Sequence, residues 1–139
     1  MSTLKTTLTG YVGYRGREGH YAFILHRLTG LGILLFLTIH IVDTAFVYFF
    51  PSLYEEAIGI YRSTPFVLGE IALVFSVIYH GLNGLRIAWF DLFKPEWWSI
   101  ETERKSFWWI LGISLTLWLP AAVIMGYSLL RYNFGLFGG

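Results

Sequence analysis

The stretch that decides the fold is Phe66 to Trp89, and within it Ser76-Val77-Ile78-Tyr79-His80-Gly81-Leu82-Asn83-Gly84-Leu85-Arg86. A helix of about 20 apolar residues crosses about 30 Å of hydrocarbon, and this run has the length and composition to do so. Its middle should be its most apolar part, yet it carries His80. Ser76, His80 and Gly84 fall at i, i+4 and i+8 on one helical face, so two small residues flank the imidazole. Open space beside a ring suits a flat macrocycle, and neutral imidazole is a strong iron ligand, so one reading of His80 is an axial haem ligand. The other is a satisfied hydrogen bond between helices. The spacing alone leaves both open.

The whole composition points the same way. Of 139 residues, 55% are hydrophobic and only 14% charged, too few to cover a soluble domain of this size, so the solvent is largely lipid. Without cysteine the chain has no disulfide, no thiolate zinc site and no iron–sulfur cluster of its own. A net charge of +1 and the lack of a basic run give no support to nucleic-acid binding.

Working outward, residues 1–21 read as a polar, Gly-rich arm, flexible or docked on a partner, with Tyr11, Tyr14 and Tyr21 favouring docking. No apolar segment followed by a small-residue cleavage site marks a signal peptide. An all-α domain of three transmembrane helices covers 22–131, with spans at about 22–50, 66–91 and 107–130, and a short tail occupies 132–139. Pro51 stops the first span, Pro65 falls in the first turn of the second, and Pro120 predicts a kink in the third. Lys5, Arg15, Arg17 and Arg27 precede the first span and Lys94, Arg104 and Lys105 follow the second; Arg62 and Arg131 alone lie at the other side. The positive-inside rule therefore puts the N-terminus in the cytoplasm and the C-terminus outside.

Titratable groups inside lipid cost several kcal/mol unless paired or hydrated, so each asks for a partner. Arg27 either snorkels to the headgroups or clamps an anion or carbonyl. His26 lies near the cytoplasmic boundary and His40, 14 residues on, shares its face roughly 20 Å deeper. Counting back from Asp91 puts His80 roughly 16 Å deep, at a depth close to His40, so that one iron or two remain open. Arg86 suits a macrocycle carboxylate, Asp91 or headgroups, and Asp43 has Arg62 as one candidate partner.

Taken together, His26-Arg27-Leu28-Thr29-Gly30 opening the first span and His80-x-x-Asn83-Gly84-x-Arg86 followed by Asp91 closing the second resemble the cytochrome b membrane anchor of succinate dehydrogenase. His40-Ile41-Val42-Asp43-Thr44 makes the actinobacterial and similar bacterial versions the nearest likeness. The third span agrees in length and placement without a motif. The resemblance implies a multi-pass subunit of the bacterial cytoplasmic membrane with no dehydrogenase active site of its own. Its partners would be a second anchor, an iron–sulfur subunit and a flavoprotein, these last two carrying the clusters and FAD, with quinone as the bound substrate. His80 matches the axial haem b ligand, the opposite ligand coming from the second anchor; Arg27 matches a quinone-pocket arginine, and His26 a residue near the propionates and the quinone.

Three departures stand out. Phe23 occupies the position of a quinone-contacting serine, which leaves the quinone type open. Ile87 replaces a histidine after Arg86, removing one propionate partner. His40 is an addition to the single-haem pattern, and two-haem relatives place a first-helix histidine on the haem further from the cytoplasm. A fumarate reductase anchor, another b-type respiratory anchor, and a haem-free structural subunit or small channel are the alternatives.

Overall fold

A computed structural model describes residues 3–13 and 16–136, the side chains of Leu8, Tyr11 and Val12 excepted. Tyr14, Arg15 and the last three residues of the tail thus lie outside the described residues. The order is α1 (Thr3–Gly13), α2 (Arg17–Phe49), α3 (Pro51–Tyr61), α4 (Thr64–Phe93), a 3₁₀ turn at Pro95–Trp97, and α5 (Ile100–Phe134). No strand occurs among the described residues.

Helices α2, α4 and α5 have 33, 30 and 35 residues and are long and apolar enough to cross a membrane. Each outruns the span expected of it, because hydrocarbon thickness limits only the apolar part while backbone hydrogen bonding continues into the polar flanks. Thus α2 begins at Arg17 and α5 at Ile100. Within the stretch read as an arm, α1 forms eleven residues of helix, with the Thr7 hydroxyl donating to Thr3 O.

The connection after the first span is itself helical. Pro51 occupies the first turn of α3, and Tyr54, Ala57, Ile58 and Tyr61 recur at three- and four-residue spacing, half-buried against the longer helices. Pro65 likewise sits in the first turn of α4. Ser99 caps α5 by accepting the Thr102 N–H at 3.2 Å. Helix α5 continues through Pro120 to Phe134, and the Thr116 hydroxyl donates to Gly112 O at 2.9 Å. Gly135 ends it with φ 65°, a left-handed conformation that costs least without a Cβ, while Leu136 N–H donates to Leu130 O at 3.1 Å.

The three long helices alternate in direction. His26 faces Gly84, Gly30 faces His80 and Gly32 faces Ser76, so α2 and α4 are antiparallel. Arg86 reaches Ser106, Trp118 reaches Ile71 and Asn133 reaches Thr64, so α4 and α5 are antiparallel too. Helix α4 is central, with Ser76, His80 and Gly84 towards α2, and Tyr79, Asn83, Arg86 and Phe90 as a buried stripe on another face. The fully buried side chains, Tyr79, Asn83 and Ser114, all carry polar atoms, whereas Leu31, Leu35, Trp109, Val123 and many others lie on the outside. That inversion is what lipid or partner helices around the chain would stabilise, since hydrocarbon outside removes the drive to bury leucine.

Asp43 is not paired with Arg62: the ion pairs among the described residues are Lys94–Glu96 and Lys105–Glu101. Asp91 accepts the Trp98 indole N–H at 2.9 Å, a partner sequence reasoning did not offer it. Trp118 donates to Ile71 O at 2.9 Å and sets its ring edge-on to Phe75. Trp118→Phe keeps a six-membered aromatic ring but loses that donor and the pyrrole half of the indole, so it is expected to cost at least about 0.5–1.5 kcal/mol, read as a lower thermal transition of the purified protein in detergent.

Candidate functional site between two membrane helices

The two motif histidines meet. The rings of His26 on α2 and His80 on α4 stack with centroids 4.0 Å apart and planes 4° from parallel. His80 Nδ1 lies 3.0 Å from the backbone oxygen of His26 and 3.4 Å from the Thr29 hydroxyl. A carbonyl only accepts, so Nδ1 is the nitrogen that carries the proton and donates, and the lone pair resides on Nε2. Thr29 is buried, with its hydroxyl against the carbonyls of Leu25 and His26 at 2.7 and 3.0 Å.

Glycine makes this approach possible. A Cβ on Gly30 would stand 2.8 Å from His80 Cε1, and one on Gly84 would stand 3.6 Å from His26 Cε1. The sequence expectation of bare space beside His80 is therefore corrected: the small residues on α4 admit α2 and the His26 ring. Small residues at a crossing let backbones approach closely, which is the usual basis of tight packing in membranes. The depths need the same correction. His26 and His80 are level with each other, because the expected depth was counted from Asp91, whereas α4 runs on to Phe93 and α2 starts as early as Arg17.

That level contact separates His40 from His80. His40 is 14 residues further along α2 than His26, about 21 Å at about 1.5 Å per residue, so these two imidazoles of one chain do not share an iron. His40 is exposed, stacks on Phe36 at 5.5 Å, and its carbonyl accepts the Thr44 hydroxyl at 2.6 Å. Among the described residues no group of three or more His, Asp or Glu side chains could hold a metal ion.

Phe23 and Arg27, one turn apart, are both exposed, with the guanidinium 4.5 Å above the Phe23 ring. Such a contact is worth roughly 0.5–1 kcal/mol at an exposed site and steadies the group without neutralising it. His26, Phe23 and Arg27 thus occupy little more than one turn of α2.

Arg86 goes elsewhere. It is 8% exposed, and its Nη1 donates to the Ser106 hydroxyl of α5 at 3.0 Å. It lies on a different face of α4 from His80, and the bond to Ser106 uses one of its five N–H donors. Its Nε, the Tyr79 hydroxyl and Asn83 Oδ1 are buried without protein partners among the described residues. Buried polar atoms of this kind cost about 1–3 kcal/mol unless a water or a partner group satisfies them. Sequence reasoning gave no role of its own to Tyr79 or Thr29, polar residues within the first two apolar spans, and did not offer Ser106, which lies just before the third span.

An all-helical, multi-pass membrane protein whose polar side chains gather between its spans is the class defined by this arrangement. Residues 12–121 match the family model described as succinate dehydrogenase/fumarate reductase transmembrane subunit. A curated relative, the succinate dehydrogenase 2 membrane subunit SdhC of Mycobacterium tuberculosis (strain ATCC 25618 / H37Rv), is 32% identical over 113 residues, covering 81% of each chain. The chain belongs to the succinate dehydrogenase/fumarate reductase transmembrane subunit family. It is a membrane subunit of that enzyme class, outside the catalytic core.

Proposed function

We propose that this chain is the haem b-binding anchor of a succinate dehydrogenase in a bacterial cytoplasmic membrane. It would hold a flavoprotein and an iron–sulfur subunit at the N-terminal side and share a quinone site with them. The observation that carries the reading is the His80 ring, fixed at Nδ1 by the His26 carbonyl with Nε2 free of any hydrogen bond among the described residues. Ligating histidines ordinarily donate their other nitrogen to a carbonyl or carboxylate, which sets the tautomer and the ring direction. His80 has that arrangement, so its donor set fits an axial haem ligand, with the opposite ligand supplied by a second anchor.

A bound haem b would supply one-electron transfer; the chain's own part is orientation and electrostatics. Arg27 offers several N–H donors to a quinone oxygen, Phe23 supports it from below, and His26 stands one position away. The bases at the N-terminal end favour a cytoplasmic N-terminus. The relative's name supports the succinate-oxidising direction over fumarate reduction. A haem-free reading has one observation in its favour, since the bond from Nδ1 to the His26 carbonyl already satisfies half of the ring.

The absorption spectrum of the purified intact complex separates these readings. A Soret band with a reduced-minus-oxidised α band of b type is expected, and its absence would leave the haem-free subunit standing. A haem-to-flavin ratio of one or of two then decides whether His40 binds a second haem. For the quinone role, Arg27→Ala should lower quinone-linked turnover at least tenfold while succinate oxidation by an artificial acceptor stays near wild type, because about 1.4 kcal/mol of lost interaction is already a tenfold effect. Equal loss of both activities would point to failed assembly.

A further inference from the structure

His80 is held in three ways: by the His26 carbonyl at Nδ1, by the Gly30 backbone at its Cε1 edge, and by the flat face of the His26 ring. One hydrogen bond at Nδ1 fixes where that atom is, yet still permits the ring plane to rock about it. A second ring 4.0 Å away and 4° from parallel removes that freedom. Meanwhile Nδ1 of His26 is buried with no hydrogen-bond partner among the described residues, and the ring meets His80 through its face. Gly84 leaves room for the ring, a Cβ there standing 3.6 Å from His26 Cε1.

We propose that His26 is a positioning residue that acts through His80, using its flat face to set the plane of the axial imidazole. This rests on the haem reading above. Partners that orient a ligating histidine tune the metal it holds, so the plane of this ring would bear on both the spectrum and the potential of the iron. The nitrogens of His26 are then dispensable for this role and the flat ring is not.

Two substitutions in the intact complex separate face from nitrogens. His26→Phe keeps a flat ring and removes the nitrogens; His26→Gln keeps polar donor and acceptor atoms and removes the ring. The readouts are the low-spin ferric electron paramagnetic resonance signal and the midpoint potential, measured in a redox titration without succinate or quinone. His26→Phe is expected to match wild type in both, and His26→Gln to broaden and shift the signal and move the potential. The reverse pattern, with Gln matching wild type and Phe shifted, would overturn the proposal in favour of hydrogen bonding by His26. Two variants both like wild type would show that the ring plane is set without it, and two variants equally shifted would overturn the stacking role as well. A wild-type complex lacking a Soret band is a different failure, that of the haem reading itself.

Discussion

His80→Ala is expected to abolish the haem b absorbance of the complex while the flavin content and artificial-acceptor succinate oxidation persist. On the haem reading the residue has two jobs, and they differ in size. As a link between α2 and α4, His80 contributes one hydrogen bond to the His26 carbonyl and one stacked ring. Their loss costs about 1–3 kcal/mol, which a three-helix anchor inside a larger assembly can absorb. As the proposed iron ligand, in contrast, it supplies the ring nitrogen that the bond at Nδ1 orients, and alanine has no donor to put in its place. Loss of pigment without loss of assembly is therefore the signature. An unchanged Soret band in His80→Ala would remove the ligand assignment outright.

Gly30→Val should give the second-largest effect, through sterics alone. The first added carbon already falls 2.8 Å from His80 Cε1, closer than real carbon contacts, and valine adds two more. His80 cannot swing away without stretching its bond to the His26 carbonyl, so either the ring leaves its anchor or α2 and α4 separate. Overpacking of this kind typically costs about 1–3 kcal/mol. Reduced haem content, with the remaining signal broadened, is expected from the purified complex. Gly81→Ala is the control, because nothing lies within 4 Å of a Cβ at that position. If both variants retained full haem, the close crossing at Gly30 would not be what seats the ligand.

The Arg86 finding shows where one-dimensional reasoning stops. Six residues separate it from His80, which reads as nearness along the helix, yet six residues also rotate it to a different face. It was the position of Ser106 on α5 that decided where the guanidinium goes, and no pattern within the second span contains that information. The same applies to Asp91, whose partner Trp98 lies beyond a proline turn. The α3 helix was missed for another reason: eleven residues are too few to announce a span, and its half-buried residues, though helically spaced, are interrupted by Glu55, Glu56 and Gly59.

What the sequence alone determined was everything that depends on the solvent. Three apolar runs, scarce charge and the prolines at their margins define three helices in lipid, and the two histidine motifs mark the family. Those features are local or compositional, so they survive without coordinates. Tertiary structure alone decided which residues meet: that His26 is level with His80, that Gly30 rather than open space borders the imidazole, and that Arg86 turns to α5. Relative register between helices is set by where backbones can touch. In this chain that is settled by glycines on α2 and α4 whose pairing becomes apparent only once the two helices are packed.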